Sequence, residues 1–127
     1  MDAVVIVTVL ALLQFVWFSF DVGVKRAKHQ CKAPVMTGAP EFERTLRVQQ
    51  NTMEQLIVFL PALWLFGTLV NPVWAAGLGV LFLIGRTIYR FSYIKDPGSR
   101  SMGFMLSLLP SLVMALGVLG VTIYAYF

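Results

Sequence analysis

The sequence predicts an all-α membrane protein, a single four-helix bundle spanning residues 1–127 with both termini on the non-cytoplasmic side. Three observations carry this. The chain is 58% hydrophobic and only 13% charged, where soluble domains carry about 25% charged residues. Four apolar runs punctuate it, and almost all the charge lies between runs one and two and between runs three and four.

The first run, Ala3 to Phe20, is broken only by Thr8, Gln14 and Ser19. It has no basic residues before it and no small-residue cleavage site after it, so it reads as a retained span rather than a signal peptide. A polar stretch from Asp21 to Glu54 follows, with a turn-prone segment from Ala33 to Pro40 that no helix would cross intact. Leu56 to Val70 is the second run, and Asn71-Pro72 marks a short turn. Val73 to Ile84 is the third, continuing into the polar Arg86 to Tyr93. Asp96-Pro97-Gly98 breaks the chain, and Gly103 to Phe127 is the fourth. Pro61 and Pro110 are expected to kink their spans, and Gln14 to hydrogen-bond another helix.

Ten charged residues lie in Asp21–Glu54 and five in Arg86–Arg100, with Asp2 the only other. Both regions therefore belong on one side, and the positive-inside rule makes that side cytoplasmic. The net charge of +4 suits anionic lipid or a small anionic ligand, and a chain this apolar has no soluble basic face for nucleic acid. Lys25, Arg26, Lys28 and Lys32 read as a headgroup-binding cluster. With Cys31 the only cysteine, an intrachain disulfide is excluded. It reads as an ordinary loop thiol and His29 as a surface residue.

The second and third runs are too short to cross alone. Fifteen residues rise only about 22 Å, against a hydrocarbon core of ~30 Å. Their polar continuations, Arg47 to Gln55 and Arg86 to Tyr93, must then enter the membrane, where charged side chains face protein, a wet cavity or a ligand. A polar pocket between helices two and three follows. On a helical wheel Arg47, Asn51 and Glu54 fall at about 0°, 40° and −20°, with Arg44 and Gln50 flanking. Arg86, Tyr89, Arg90 and Tyr93 recur at helical spacing on the third span, and Arg100 can fold back over the mouth. Arginine forks match carboxylates, Glu54 suits an ammonium group, and a nearby guanidinium would favour a thiolate. The expected guest is small and anionic. The same residues also admit plainer readings: Arg47–Glu54 or Arg44–Glu54 as structural ion pairs, and the tyrosines as interfacial-belt residues.

The string Glu43-Arg44-Thr45-Leu46-Arg47-Val48-Gln49-Gln50-Asn51-Thr52-Met53-Glu54 resembles the signature of the MAPEG family, the membrane-associated proteins of eicosanoid and glutathione metabolism. Lys25-Arg26 ending the first helix, the Pro-rich loop and the later Arg86, Tyr89, Tyr93 and Arg100 fall in the family's order, so the resemblance covers essentially the whole chain. It implies a homotrimer of four-helix, multi-pass subunits, in the inner membrane if the protein is bacterial, with glutathione as co-substrate held between neighbours. By that likeness Arg47, Asn51, Glu54, Tyr89 and Tyr93 bind glutathione from one subunit, with Arg86 counted among the glutathione-binding residues, while Gln49 and Lys25-Arg26 reach in from the next. Gln49 lies about 160° from Asn51 on the wheel and so cannot serve the same pocket within one subunit. Arg100 matches the thiolate-stabilising arginine, and Arg26 a second one at the margin. Leukotriene C synthase has a tyrosine where this chain has Gln55, so narrow eicosanoid specificity is not implied.

The function these features imply is a glutathione transferase, with peroxidase activity also open, that adds the thiolate to lipophilic electrophiles dissolved in membrane lipid, as in detoxification. A non-catalytic lipid-binding or scaffold member of the same family is the alternative. A proton-coupled multidrug transporter would need an acidic residue deep in the first span, and Ala3 to Phe20 has none.

Overall fold

The computed structural model describes all 127 residues as four long helices. These are α1 (Asp2–His29), α2 (Pro40–Leu69), α3 (Pro72–Lys95) and α4 (Ser101–Tyr126). A single 3-10 turn, Pro97–Ser99, precedes α4. All four are long and apolar enough to cross a membrane. The α1–α2 and α3–α4 connections share one end of the bundle with most of the charge. The short α2–α3 turn lies at the other, where the Asn71 side chain accepts hydrogen bonds from the Val73 and Trp74 amides to cap α3.

The polar continuations of the second and third runs are helical, as the length argument requires. At 1.5 Å per residue α2 rises about 45 Å, so roughly its first ten residues project beyond a ~30 Å core. Asn51 and Glu54 are then expected within bilayer depth and Arg47 at its margin. The first helix is longer than the apolar run announces. Asp21 does not end it, because Asp21 is buried and paired: Arg90 of α3 donates to its Oδ2 through Nε (3.1 Å) and Nη2 (2.6 Å), and Lys25 one turn on lies 3.4 Å from Oδ1. The helix stops instead at Gln30, which takes the left-handed conformation.

Toward the uncharged end the core is apolar. Val4, Val7 and Ala11 of α1 meet Leu56, Phe59, Leu63 and Phe66 of α2, Ala75 and Phe82 of α3, and Met114 of α4. Phe59 and Phe82 stack with centroids 3.8 Å apart. Gln14 donates to the Leu83 carbonyl and Thr87 Oγ1, both at 3.0 Å, tying α1 to α3 as its position in an apolar run predicts. Between lipid-soluble helices close packing replaces the hydrophobic drive, and small residues permit it. The seam between α3 and α4 shows this. A Cβ on Gly85 would stand 2.7 Å from the Ser107 backbone nitrogen, and one on Gly103 would strike the Tyr89 backbone. Gly103, Ser107 and Ser111 recur every fourth residue along this buried strip.

Candidate functional site

Above the apolar core, at the charged end, lies a cavity of about 680 Å³ lined by Arg47, Asn51, Tyr89, Tyr93, Arg100, Ser101, Phe104 and Met105. Two smaller hollows adjoin it. One of about 470 Å³ shares Arg47 and Tyr93 and adds Arg44, Gln50, Glu43 and Pro97. The other, about 280 Å³, is bordered by Arg47, Gln50, Met53 and Glu54. The main volume falls within the range of about 300–1,000 Å³ usual for small-molecule sites.

Three helices build the cavity, not the two that wheel positions alone suggest. The glycine seam brings the start of α4 against Tyr89, so Phe104 and Met105 become an apolar wall facing the arginines. Sequence reasoning missed these residues because nothing in them announces chemistry. Their spacing from Arg100, four and five residues on, was the available signal. Tyr89 and Tyr93 stack with centroids 5.4 Å apart, and Tyr89 is buried. Arg100 sits between the 3-10 turn and α4 and donates to the Pro97 carbonyl at 3.3 Å. Only one nitrogen is used there, and the rest of the guanidinium is available at the mouth.

Glu54 borders the smallest hollow and accepts from Arg47 Nη1 at 3.4 Å, both side chains about half exposed. Exposed pairs of this kind are worth about 0–1 kcal/mol, so Arg47 is held loosely. Arg44 donates to the Ile94 carbonyl rather than to Glu54.

Five of the expected site residues thus meet in one cavity, with Glu54 beside it. The others are turned elsewhere within the protomer. Gln49 donates to Ser19 Oγ on α1 at 3.2 Å, in line with its wheel position. Lys25 is engaged by Asp21. Arg26 donates to the Cys31 and Val35 carbonyls and lies over the Phe42 ring, clasping the loop. Arg90, expected on the face of Tyr89, instead points to α1 and Asp21, because it stands about 100° from Tyr89 on the helix. Arg86 does not line the cavity. It is wholly buried behind it, donating through Nη1 to Asn51 Oδ1 (2.8 Å) and Thr52 Oγ1 (3.2 Å).

The loop outside the membrane is clamped by charge. Glu41, in the part of α2 that projects beyond bilayer depth, accepts from His29 Nε2 (2.8 Å) and Lys28 Nζ (3.0 Å). These bonds, His29 first, hold its carboxyl well below the ordinary range, at about 2. His29 is therefore a partner in the clamp, and the Cys31 thiol is buried against Gly38.

Comparison with known proteins adds a second line. The model of the MAPEG family matches residues 4–120. An uncharacterised protein of Synechocystis sp. is 42% identical over 114 residues, covering 90% of this chain and 83% of the relative. Microsomal glutathione S-transferase 2 of Homo sapiens is 39% identical over 116 residues, covering 91% and 79%. Leukotriene C4 synthase of Cavia porcellus is 37% identical over 90 residues, covering 71% and 60%.

Proposed function

The chain belongs to the MAPEG family, an integral membrane protein with four spanning helices, and from that premise we propose that it is a glutathione transferase. The observation that carries this is the cavity itself: Arg47, Asn51, Tyr89, Tyr93 and Arg100 gathered at the charged end of an otherwise apolar bundle, opposite the apolar wall of Phe104 and Met105. A tripeptide with two carboxylates, an ammonium and a thiol fits that set, and similarity to glutathione-using relatives supports it.

In this reading the charged end is cytoplasmic, from the positive-inside rule, and glutathione enters there. Its carboxylates lie on Arg47 and on donors around Asn51, and its ammonium on Glu54. Lys25, Arg26 and Gln49, which face away from the cavity of their own protomer, serve the site of a neighbour in a homotrimer. Arg100 holds the sulfur as thiolate. The thiolate attacks an electrophilic carbon of a lipophilic acceptor arriving from lipid past Met105 and Phe104. A sulfur–carbon bond forms, and the electron pair of the broken bond leaves with the departing group or, in an epoxide, stays on oxygen and takes a proton from water. The same thiolate also serves peroxide reduction, displacing alkoxide from a lipid hydroperoxide to give a sulfenic acid that a second glutathione converts to disulfide. Cationic stabilisation of an anion in a water-poor site is a large catalytic term.

The test is an ultraviolet difference spectrum of purified protein with glutathione. A thiolate band near neutral pH, absent with the S-methyl derivative, is expected. No band together with no heat of binding in titration calorimetry would rule the reading out and favour the lipid-binding scaffold.

A further inference from the structure

Arg86 stands apart from the other arginines. It has no exposed surface, and none of the ion pairs in the protein includes it. Its Nε and Nη2 have no hydrogen-bond partner. Only Nη1 is used, on Asn51 and Thr52, while Cζ lies over the Tyr89 ring, 4.3 Å from its centroid. A buried charge without a counter-ion is costly unless something compensates it, and orphaned buried polar groups point to a functional cause or a missing partner.

The contact with Asn51 fixes a chemical choice. A guanidinium only donates, so the Asn51 group turned to it must be the carbonyl oxygen. The remaining NH2 group, free of any hydrogen bond within the chain, is then what Asn51 offers to the cavity it lines. Tyr89, the other residue Arg86 touches, is also a wall of that cavity.

We infer that Arg86 is a positioning residue, fixing Asn51 with its N–H donors toward the guest and placing an unneutralised positive charge beneath the cavity floor. That spot therefore selects a hydrogen-bond acceptor bearing negative charge, such as a carboxylate. The assignment rests on the glutathione reading for the guest's name, but the Asn51–Arg86 geometry stands without it.

Two measurements test it. In glutathione-free protein, the thermal midpoint of Asn51→Asp is compared in the presence of Arg86 and in an Arg86→Met background. An aspartate gains the idle nitrogens of Arg86 but is stranded without it, so the substitution should raise the midpoint in the first case and lower it in the second. The same sign in both would overturn the orientation. In kinetics and calorimetry, Asn51→Asp keeps Arg86 paired yet removes the donors, and should weaken glutathione at least tenfold. Arg86→Met should raise the glutathione KM by a similar factor with a smaller fall in kcat, and Arg86→Lys should recover most of the loss. Unchanged glutathione affinity in a folded Asn51→Asp protein would overturn the role. Failure of the wild type to bind glutathione, with the sign change intact, would remove the parent reading and leave the positioning of Asn51 standing.

Discussion

Replacing Gly103 with alanine tests how closely cavity and fold depend on one contact. A Cβ added there would lie 2.6 Å from Tyr89 Cα and 2.9 Å from its Cβ, against ordinary carbon contacts of ~3.5–4.0 Å. Both partners are helical, so α3 and α4 must part by roughly 1 Å. Overpacking of this kind costs about 1–3 kcal/mol, partly offset by up to ~1 kcal/mol from alanine's better helix propensity. The expected balance is a destabilisation of about 1–2 kcal/mol. It should read as a fall of several degrees in thermal midpoint in detergent, with weaker glutathione binding because Tyr89 moves. Gly77→Ala and Gly120→Ala supply the control, since a Cβ at either meets nothing within 4 Å, and both should hold or raise the midpoint. A Gly103→Ala protein as stable as these controls would refute the close-contact argument.

Arg100→Ala should still bind glutathione but raise the bound thiol pKa by about one unit, the low end for an exposed cation. Turnover then falls a few-fold near neutral pH, approaches a deficit of about tenfold below the wild-type thiol pKa, and converges with wild type once both thiols ionise; a pH-independent deficit would exclude this role. Asp21→Asn strands Arg90 in a nearly buried setting, where broken pairs cost about 3–5 kcal/mol. Its thermal midpoint should therefore drop further than that of the double variant Asp21→Leu/Arg90→Leu, in which no charge is left alone. Because the Glu41 carboxyl is depressed to about 2, its clamp contributes above the ordinary carboxylate pKa and is lost as pH falls toward 2. Acid proteolysis should accordingly cut the loop of residues 30–39 in wild type faster as pH falls toward 2, whereas Glu41→Gln should be cut faster than wild type above that pH and at a similar rate near it.

The spans were legible because their apolar runs are limited by turns of specific chemistry, Asn71-Pro72 and Asp96-Pro97-Gly98 among them. The length deficit of the second and third runs correctly required their polar continuations to stay helical, and Asn51 and Tyr89 both lie on those continuations. The wheel also turned Gln49 from Asn51. It failed where partners lie on other helices. Asp21 reads as the end of a span until Arg90 is seen beside it, and Arg86 shares a helical face with Tyr93 yet is covered by α2. The α4 wall depended on Gly85 and Gly103, whose meaning appears only when the facing backbone is known.

Arg47 borders all three hollows, and its one tie is to the carboxylate of Glu54. A carboxylate arriving from solution competes with Glu54 for Arg47, and where it prevails it frees a negative group as it satisfies a positive one. A molecule carrying both signs settles both sides of the exchange, while a plain dianion leaves Glu54 idle and repelling it. In the proposed reading, a preference for zwitterions over simple acids is the expected outcome of one arginine shared between two claims.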